Sequence, residues 1–497
     1  MPGHGMQAIM IETEARTVPM LIGGEWVESA ASETLEVENP AKKQPIARVP
    51  RGRAADIDRA VHAARAAFPG WKKTPPRERG KMLLAIAEKF EARVEEIAQL
   101  IALETGNALR TQSRPEAKGS ADLFRYYGGL ASELKGETIP LGEDMLCYTR
   151  REPYGVVGAI IPWNSPVILG SMKMAMAIGA GNTIVLKAAE DAPLAVLEVA
   201  KICNEVLPKG VVNVVTGYGE EAGAPLAEHP GVDKLSFTGS TEVGKSVMRH
   251  ASDRIVPVSL ELGGKSPNIV FADADEPAVV DGVVTAMRFT RQGQSCTAGS
   301  RLFLHETIFD SFLAKLTAKV RTLRLGDPLA EETDMGTIIN SKQFNRVCSY
   351  IEDGLRQKDA SLLTGGKPPA EGPLSKGYFV EPTIFGGVRN EWRIAREEIF
   401  GPVLVAIPFR DEDEVIRMAN DSHYGLAGFV WTHDVGKGLR TVQEIDSGWV
   451  QLNQGLGQFA GQPYGGFKQS GIGKEFSLDG MVAGFTRSKT VTVGLKL

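Results

Sequence analysis

The chain has few residues of the kinds that bind metals or form disulfides. It contains four cysteines and seven histidines in 497 residues, and no two cysteines form a Cys-x-x-Cys pair. No two histidines are close neighbours, so the short His pairs of common metal motifs are missing. We therefore expect free thiols, a reducing compartment and no metal site.

The chain also lacks an excess of positive charge and any run suited to a membrane span. Its 61 acidic residues outnumber its 56 basic ones, so the electrostatic footprint of nucleic-acid binding is missing. Residues 1–20 do not read as a secretory signal, and the uncharged residues 155–172 are interrupted by Pro162, Asn164 and Pro166. We expect a cytoplasmic protein that binds neither nucleic acid nor membrane.

What the chain does contain is the composition of an ordinary globular protein, 43% apolar and 24% charged. Its length calls for two or three hydrophobic cores. Apolar spacing between positions 57 and 101 predicts that the first third is helical, with a stop at Gly106.

From residue 155 onwards, short β-branched runs alternate with helical patterns, which predicts βαβ units and mainly parallel sheets. The runs are GVVGAII, TIVLK, VVNVV, KLSF and PNIVF, then PVLVAIPF, AGFVWT and GWVQLN after Cys296. Helices are predicted near 341–355 and 435–445, a strand at RSKTVTVGL and an extended arm at 136–152. The predicted fold class is α/β, with two doubly wound parallel-sheet domains.

Two glycine-rich turns are candidates for binding a nucleotide. Gly217, Gly219 and Ala222 match the pattern G-x-G-x-x-[GA] after an apolar run, but such turns are common for steric reasons alone. Gly239 and Ser240 precede a predicted helix, whose N-terminal amides would bind a phosphate. The alternative there is an ordinary turn with Ser240 as N-cap, and both interpretations stay open.

A charged pair ends the run TIVLK. Lys187 lies at the expected carboxyl edge of a sheet, where open α/β folds bind ligands, and Glu190 follows three residues later. The pair would bind ribose hydroxyls. The alternative is a solvated strand end, which the spacing alone favours.

Three residues have side chains suited to acyl chemistry. Cys296 lies in the polar stretch GQSCTAG, unlike the surroundings of a buried filler cysteine. A thiol with a pKa of ~8.5 is little ionised at neutral pH, so catalysis needs a lowered pKa or a nearby base. Glu261 in SLELGGK would supply that base or be a sheet-edge carboxylate. Asn164 in PWNSP would supply an amide donor or be a simple turn residue.

Taken together, the motifs resemble those of the aldehyde dehydrogenase superfamily, in its hydrolytic, NAD(P)-dependent form. PWNSP, KAAE, FTGSTEVGK, LELGGK, GQSC and EEIFGP occur in the family's order and at family-like separations. The resemblance extends from Asn39-Pro40-Ala41 to PYGGFKQSG at residues 463–471. It implies an enzyme that oxidises an aldehyde to a carboxylic acid.

The resemblance implies a role for each of the three acyl-chemistry residues. Cys296 attacks the aldehyde to form a thiohemiacetal, whose oxyanion is held by the Asn164 side chain and the Cys296 backbone amide. Hydride transfer leaves a thioester, which water hydrolyses with Glu261 as general base.

The resemblance also implies a set of cofactor-binding residues. They are Lys187 and Glu190 at the adenosine ribose, Gly239 and Ser240 at the pyrophosphate, and Glu398, Phe400 and Trp163 at the nicotinamide end, with Ile160, Pro162, Gly219, Gly223, Phe237, Val243 and Leu262 nearby. Because the Glu190 carboxylate would repel a 2′-phosphate, we predict NAD over NADP.

The presumed substrate tunnel departs from common family members. Ser165 stands where an aromatic residue is usual, and Gly170 and Thr290 are also small, so we expect a wide tunnel for a bulky, ring-containing or branched aldehyde. Ser295, Leu456 and Phe459 complete the expected lining. Arg291 has two open interpretations: a structural arginine, the commoner role, or a site for the carboxylate of a semialdehyde.

Two competing functions follow from the same residues. In a CoA-acylating dehydrogenase, CoA would cleave the thioester, but the presence of Glu261 favours water. A catalytically silent structural or binding protein would keep the fold, but Cys296, Asn164 and Glu261 are all intact.

The family's architecture implies a division of the chain. Residues 1–134 and 154–264 would form the NAD-binding domain and residues 265–465 the catalytic domain. Residues 135–153 and 466–497 would form an oligomerisation arm and a C-terminal strand that pair across a homodimer or homotetramer.

Overall fold

The computed structural model describes residues 16–496. Most of the N-terminal stretch interpreted as lacking a secretory signal lies outside the described residues, as do the first 15 positions of the predicted NAD-binding domain and residue 497. Among the described residues, no helix has the length and apolar content that a membrane span requires.

The strands are short, as is usual for α/β domains. In chain order they are β1 Met20–Ile22, β2 Glu25–Val27, β3 Thr34–Asn39, β4 Gln44–Pro50, β5 Thr138–Ile139, β6 Met145–Pro153, β7 Val156–Ile160, β8 Thr183–Lys187, β9 Val212–Val215, β10 Lys234–Thr238, β11 Val258–Glu261, β12 Pro267–Val270, β13 Arg301–His305, β14 Ser361–Thr364, β15 Thr383–Gly386, β16 Val403–Phe409, β17 Tyr424–Gly425, β18 Ala427–Trp431, β19 Trp449–Leu452, β20 Phe467–Lys468, β21 Gly471–Ile472 and β22 Thr486–Gly494.

The helices cover the sheets. They are α1 Ala54–Trp71, α2 Pro76–Glu91, α3 Val94–Thr105, α4 Arg114–Leu130, α5 Pro166–Ala180, α6 Leu194–Val206, α7 Ala224–Glu228, α8 Thr241–Arg254, α9 Pro277–Ala286, α10 Phe309–Val320, α11 Ser341–Arg356, α12 Arg393–Arg396, α13 Glu412–Asn420, α14 Val435–Glu444 and α15 Leu478–Phe485. Short 3-10 or π turns lie at Leu109–Ser113, Gly219–Gly223, Ala272–Ala274, Phe289–Arg291, Glu306–Ile308 and Pro373–Lys376.

The first sheet has the order β2-β1-β9-β8-β7-β10-β11-β21. Its central strands β9, β8, β7, β10 and β11 are parallel, while β2, β1 and β21 run antiparallel at the edges. From β7 the chain moves to β8 and β9 on one side and then to β10 and β11 on the other. The order therefore reverses between β7 and β10, which is where open α/β sheets bind their ligands.

The second sheet has the order β14-β15-β16-β13-β12-β18-β19, parallel except for β14. Every β-branched run named above forms a strand of one of these two sheets. The predicted α/β class with two doubly wound domains is confirmed, and so are the helices predicted near 341–355 and 435–445. The predicted domain boundary after residue 264 falls between the last parallel strand of one sheet and the first of the other.

The prediction that the first third is helical is wrong for the described residues 16–50. Helices α1 to α3 lie where the apolar spacing places them, and Gly106 follows α3 with a φ of 75°. Before them, β1 and β2 form a hairpin whose turn is Gly23-Gly24, with φ of 65° and 82°. Two glycines between short apolar runs are a hairpin signal, but strands of three residues have too little alternation to be recognised.

The C-terminal segment pairs with the arm within one chain. Nine residues of β22 pair antiparallel with β6, and β5 completes a three-stranded sheet. The C-terminal strand therefore joins the arm, whereas pairing of the two across a dimer stays a prediction. Within residues 466–496, β21 also joins the first sheet and α15 packs on α5.

A buried ion pair ties the C-terminal segment to the core of the first domain. Lys173 of α5 donates to both carboxylate oxygens of Glu475, at 2.9 and 3.2 Å, and to Ser236 Oγ at 2.7 Å. Both charged side chains are at most 1% exposed. Because each charge is desolvated, each depends on the other to remain buried.

We predict that Lys173→Met lowers the apparent free energy of unfolding in urea by about 3 to 5 kcal/mol, because Glu475 is left buried without its counter-charge. The matched control is Lys489→Met, which removes the exposed pair with Glu152 between β22 and β6. That change should cost less than ~1 kcal/mol. Equal losses of stability in the two variants would contradict the conclusion that Lys173 is needed to compensate the buried charge of Glu475.

Candidate active site

The carboxyl ends of four parallel strands bring predicted site residues into one row. Strand register pairs Ile160 with Lys187 on one side and with Phe237 on the other, and it pairs Thr238 with Glu261. The row crosses the point where the strand order reverses. Residues far apart in the sequence therefore face one crevice.

The charged pair at this edge is formed. Lys187 is buried, and its Nζ donates to Glu190 Oε2 at 2.7 Å, while a third of the Glu190 side chain remains exposed. Asp191 lies beside them and accepts a hydrogen bond from Asn340, and burial raises its pKa to about 6. Sequence patterns gave no reason to include Asp191.

The two glycine-rich turns have different surroundings. A Cβ on Gly217 would overlap the carbonyl of Gly52, so this glycine is needed for packing. Gly219 and Gly223 begin and end the following π turn, and Gly219 is exposed with open space where a Cβ would lie. The steric interpretation therefore applies to Gly217, whereas Gly219 faces solvent near the edge of the sheet.

At the second turn, Ser240 caps α8. Its Oγ accepts a hydrogen bond from the Val243 N–H at 3.3 Å, and Ser240 and Val243 are both exposed. A Cβ on Gly239 would press on the Phe237 ring, and Leu262 packs beneath the helix against Gly244. The N-cap interpretation is confirmed, and the exposed first turn of the helix stays available to a ligand.

Pro162 and Trp163 follow β7 at the carboxyl edge of the first sheet. The Trp163 ring stands edge-to-face on Phe400, with the ring centroids 5.3 Å apart. Phe400 has a φ of 57°, a left-handed conformation that side chains rarely adopt. A residue in this strained conformation persists only where its surroundings fix it, so the loop at Phe400 is held in place by the structure around it.

Three chain segments meet at Gly263-Gly264, which Leu262 separates from Glu261. The Gly264 N–H donates to Glu398 Oε1 at 3.0 Å. A Cβ on Gly263 would overlap the Glu398 carboxylate, and one on Gly264 would overlap the Cys296 carbonyl. Only glycines allow this approach, which brings β11 and the loops of Cys296 and Glu398 together. Burial raises the pKa of Glu398 to about 7.

Cys296 lies in one of the three segments that meet at Gly263-Gly264. Its Sγ is 3.5 Å from the Tyr464 hydroxyl oxygen. Burial raises the pKa of the Cys296 thiol to about 11, although the bond to Tyr464 acts in the opposite direction. The loop turns at Gly293, with a φ of 64°, and is braced by a 3.1 Å contact between the hydroxyls of Ser295 and Thr297.

Glu261 is buried beside the same tyrosine segment. Both of its carboxyl oxygens are buried without a hydrogen-bond partner among residues 16–496. Burial, reinforced by the charge of Glu475, raises its pKa well above the usual carboxyl range. Gly465, next to Tyr464, has no room for a Cβ against Glu261 Oε1. Burial therefore disfavours the ionised forms of both Glu261 and Cys296.

Asn164 is fixed against the loop that carries the thiol. Its Nδ2 donates to the Gln294 carbonyl at 3.0 Å, and its own carbonyl accepts from Asn107 Nδ2 at 3.2 Å. One amide hydrogen of Asn164 has no role in these bonds. Asn107 and Tyr464 were missed from the sequence, although Tyr464 stands inside the motif PYGGFKQSG.

The predicted substrate residues do not all converge. Arg291 Nη2 donates to Ser165 Oγ at 2.7 Å, and Thr290 is partly buried beside Arg291. Gly170 instead faces the sheet, where a Cβ would meet Ile161 at 3.3 Å. Gly170 is thus closely packed on its sheet side, and its part in a wide tunnel stays a prediction.

Leu456 and Phe459 lie in the exposed loop between β19 and β20. Their side chains are 46% and 55% exposed. The Leu456 carbonyl accepts from Arg288 at 2.8 Å, and Phe459 lines a surface depression with Gln454 and Trp449. Among the described residues neither forms a hydrogen bond with Cys296, and their place in the substrate region stays a prediction.

Known proteins are similar to this chain over nearly its whole length. Residues 26–491 match the Aldehyde dehydrogenase family. DhaS of Bacillus subtilis (strain 168) is 40% identical over 97% of this chain and 96% of its own. The NAD+ complex of aldehyde dehydrogenase from Bacillus cereus is 40% identical, covers 99% of both chains and has a TM-score of 0.95. PnpE of Pseudomonas sp. WBC-3 in complex with nicotinamide adenine dinucleotide is 40% identical over 97% of this chain and 98% of its own, with a TM-score of 0.94.

The raised pKa of Cys296 predicts slow alkylation at neutral pH. Between pH 7 and 10 the rate of iodoacetamide modification of Cys296 should keep rising, because a pKa of about 11 leaves the thiol mostly protonated. Free cysteine levels off above its pKa of ~8.5. Tyr464→Phe should lower the rate further, since it removes a donor to the thiolate. Peptide mass spectrometry measures both rates, and a plateau for Cys296 below pH 9 would contradict the assignment.

Proposed function

This chain belongs to the aldehyde dehydrogenase family, and from that premise we propose that it oxidises an aldehyde to a carboxylic acid with NAD, through a covalent intermediate on Cys296. The observation that carries the proposal is the meeting of a buried thiol and a buried, unpartnered carboxyl group at Gly263-Gly264. Two relatives of about 40% identity were solved with this dinucleotide bound.

The residues at the carboxyl edge of the first sheet fit such a cofactor. Lys187 and Glu190 offer a donor and an acceptor for ribose hydroxyls, and the exposed first turn of α8 offers backbone amides for a pyrophosphate. Glu398, held by the Gly264 amide, lies between this edge and Cys296. When bound, NAD supplies the hydride acceptor. The other residues proposed to surround it are Ile160, Pro162, Trp163, Gly219, Gly223, Phe237, Gly239, Ser240, Val243, Leu262 and Phe400.

The exposed carboxylate of Glu190 supports a preference for NAD over NADP, because it would repel a 2′-phosphate. Comparable kcat/KM values with the two cofactors would contradict this preference.

In the first half of the reaction, Cys296 acts as the nucleophile. Its thiolate bonds to the aldehyde carbon, and the carbonyl oxygen becomes an oxyanion. The unused amide hydrogen of Asn164 and the Cys296 backbone amide are donors for that oxygen, and one such donor contributes roughly 3 to 4 kcal/mol. The bond from Asn164 to the Gln294 carbonyl keeps its amide beside the thiol.

In the second half, Glu261 acts as general base. Its ionised carboxylate takes a proton from water, the resulting hydroxide attacks the thioester carbonyl, and Cys296 leaves as thiolate. The raised pKa of Glu261 suits a base that works near neutral pH. Activity should therefore fall as the pH drops through this pKa. A buried base of this kind favours water over CoA as the acyl acceptor.

Small polar residues support a roomy substrate region. Ser165, Thr290 and Ser295 lie near the thiol, with Leu456 and Phe459 at the exposed border. We infer that the enzyme accepts bulky or ring-containing aldehydes. A strict preference for acetaldehyde would contradict this inference.

The edges of the small sheet support a homo-oligomer. Strand β22 is a largely exposed edge strand, which offers unpaired backbone groups to a second copy. Sedimentation of the purified protein as a monomer would contradict a homodimer or homotetramer. Four unpaired cysteines likewise support a cytoplasmic location, which cell fractionation tests.

Purified protein should form NADH from NAD and a panel of aliphatic, aromatic and carboxylated aldehydes. Cys296→Ala should reduce kcat by more than ~1000-fold, because the covalent route is lost. Cys348→Ala, at a thiol on α11, is the matched control and should retain activity. Formation of acyl-CoA on adding CoA would favour the acylating alternative. Absence of turnover on every aldehyde, with or without CoA, would favour a catalytically silent protein.

A further inference from the structure

Two neighbouring arginines, Arg288 and Arg291, precede the Cys296 loop. The guanidinium of Arg288 is occupied by hydrogen bonds to backbone carbonyls of the protein. Arg288 Nη1 donates to the Gly455 carbonyl at 2.8 Å and to the Thr285 carbonyl at 3.3 Å, and Nη2 donates to the Leu456 carbonyl at 2.8 Å. This arginine fastens the loop between β19 and β20. Its role is structural.

Arg291 is held very differently. Within the described residues its guanidinium makes one hydrogen bond, from Nη2 to Ser165 Oγ, a neutral partner. Its Nε is buried and has no partner among residues 16–496. No carboxylate of the described residues lies within ion-pair distance of the guanidinium. A buried cation with unused donors is costly unless an anion meets it.

The nearest buried carboxylate is already engaged elsewhere. Glu116 Oε1 accepts the backbone N–H groups of Val167 and Ile168, at 3.0 and 3.3 Å, at the start of α5. The charge of Glu116 acts on Arg291 from a distance, but its oxygen bonds the helix. Arg291 therefore keeps donors available for another group.

The guanidinium also lies close to the nucleophile. The Gln294 N–H donates to the Arg291 carbonyl at 2.9 Å, which closes the turn leading to Cys296. Ser165, the partner of Arg291, directly follows Asn164. The positive charge of Arg291 lowers the pKa of Cys296, although burial outweighs it. An anion on Arg291 would thus lie in front of the thiol.

We propose that Arg291 and Ser165 form an anion subsite that binds a carboxylate on the substrate, so that the enzyme oxidises an aldehyde bearing a second, carboxylate end. Arg291 offers donors in the planar arrangement that carboxylates accept. Ser165 accepts from Arg291 and so keeps its own hydroxyl hydrogen to donate. One guanidinium balances one carboxylate charge, whereas a phosphate would bring more charge than the subsite neutralises. This inference rests on the proposed function.

The test compares carboxylated aldehydes with neutral isosteres. Succinic semialdehyde is paired with 4-oxobutanamide, and 4-carboxybenzaldehyde with 4-formylbenzamide. The wild-type kcat/KM should favour at least one carboxylate over its amide by about 10- to 100-fold, the range for hydrogen bonds to a charged group. Arg291→Gln should abolish that ratio chiefly through KM, and Arg291→Lys should retain part of it.

The matched control is Arg356→Gln. Arg356 is exposed on α11 and pairs with Glu352, so the variant changes the net charge equally. Its carboxylate-to-amide ratio should equal that of the wild type. An equal loss on both substrate types in Arg291→Gln would overturn the proposal in favour of a structural arginine, as would a wild-type enzyme that does not distinguish acid from amide.

A binding measurement separates this proposal from the proposed function. Titration calorimetry with succinate and its neutral diamide, succinamide, on the Cys296→Ala protein needs no turnover. Tighter binding of succinate that is lost in an added Arg291→Gln change supports the subsite even if no aldehyde is oxidised. Equal binding of the two compounds, together with the absence of a kinetic preference, would overturn the subsite while leaving aldehyde oxidation intact.

Discussion

The site depends on the close approach of three backbone segments at Gly263-Gly264. Any side chain at these two positions would overlap the Glu398 carboxylate or the Cys296 carbonyl. The pair lies two residues after Glu261, the end of the last parallel strand in the first sheet, and precedes the first strand of the second sheet. The linker between the two sheets therefore also forms part of the site. It contacts the Cys296 loop and begins next to Glu261.

Burial around Gly263-Gly264 determines how readily the acidic side chains of the site ionise. The pKa values of Cys296, Glu261 and Glu398 are all raised, in each case chiefly by burial. Burial disfavours the ionised form of each group, so each charge develops in low-dielectric surroundings, where a positioned donor contributes more than in water. Burial dominates the pKa of Cys296, and the positive charge of Arg291 acts in the opposite direction.

Local sequence patterns were sufficient to predict the strands that position the site. Buried parallel strands are continuous β-branched runs, so β7, β8, β10 and β16 were predicted from composition alone. Resemblance to a family supplied roles for Cys296, Glu261 and Asn164, but those roles stay proposals. Contacts that fold topology creates were not predictable: Tyr464 lies 168 residues from Cys296, and Glu475 lies 302 residues from Lys173. Spacing also does not say which side of a helix faces the sheet, so the packing of Gly170 against Ile161 was not predictable.

The most direct test of a covalent route completed by Glu261 is to trap its intermediate. Glu261→Gln protein mixed with NAD and an aldehyde is quenched in acid and weighed by intact-protein mass spectrometry. The account predicts a gain equal to the aldehyde less two hydrogens, located on the Cys296 peptide and absent when Cys296 is also replaced by Ala. Multiple turnovers at the wild-type rate without any adduct, or an adduct on another residue, would contradict it.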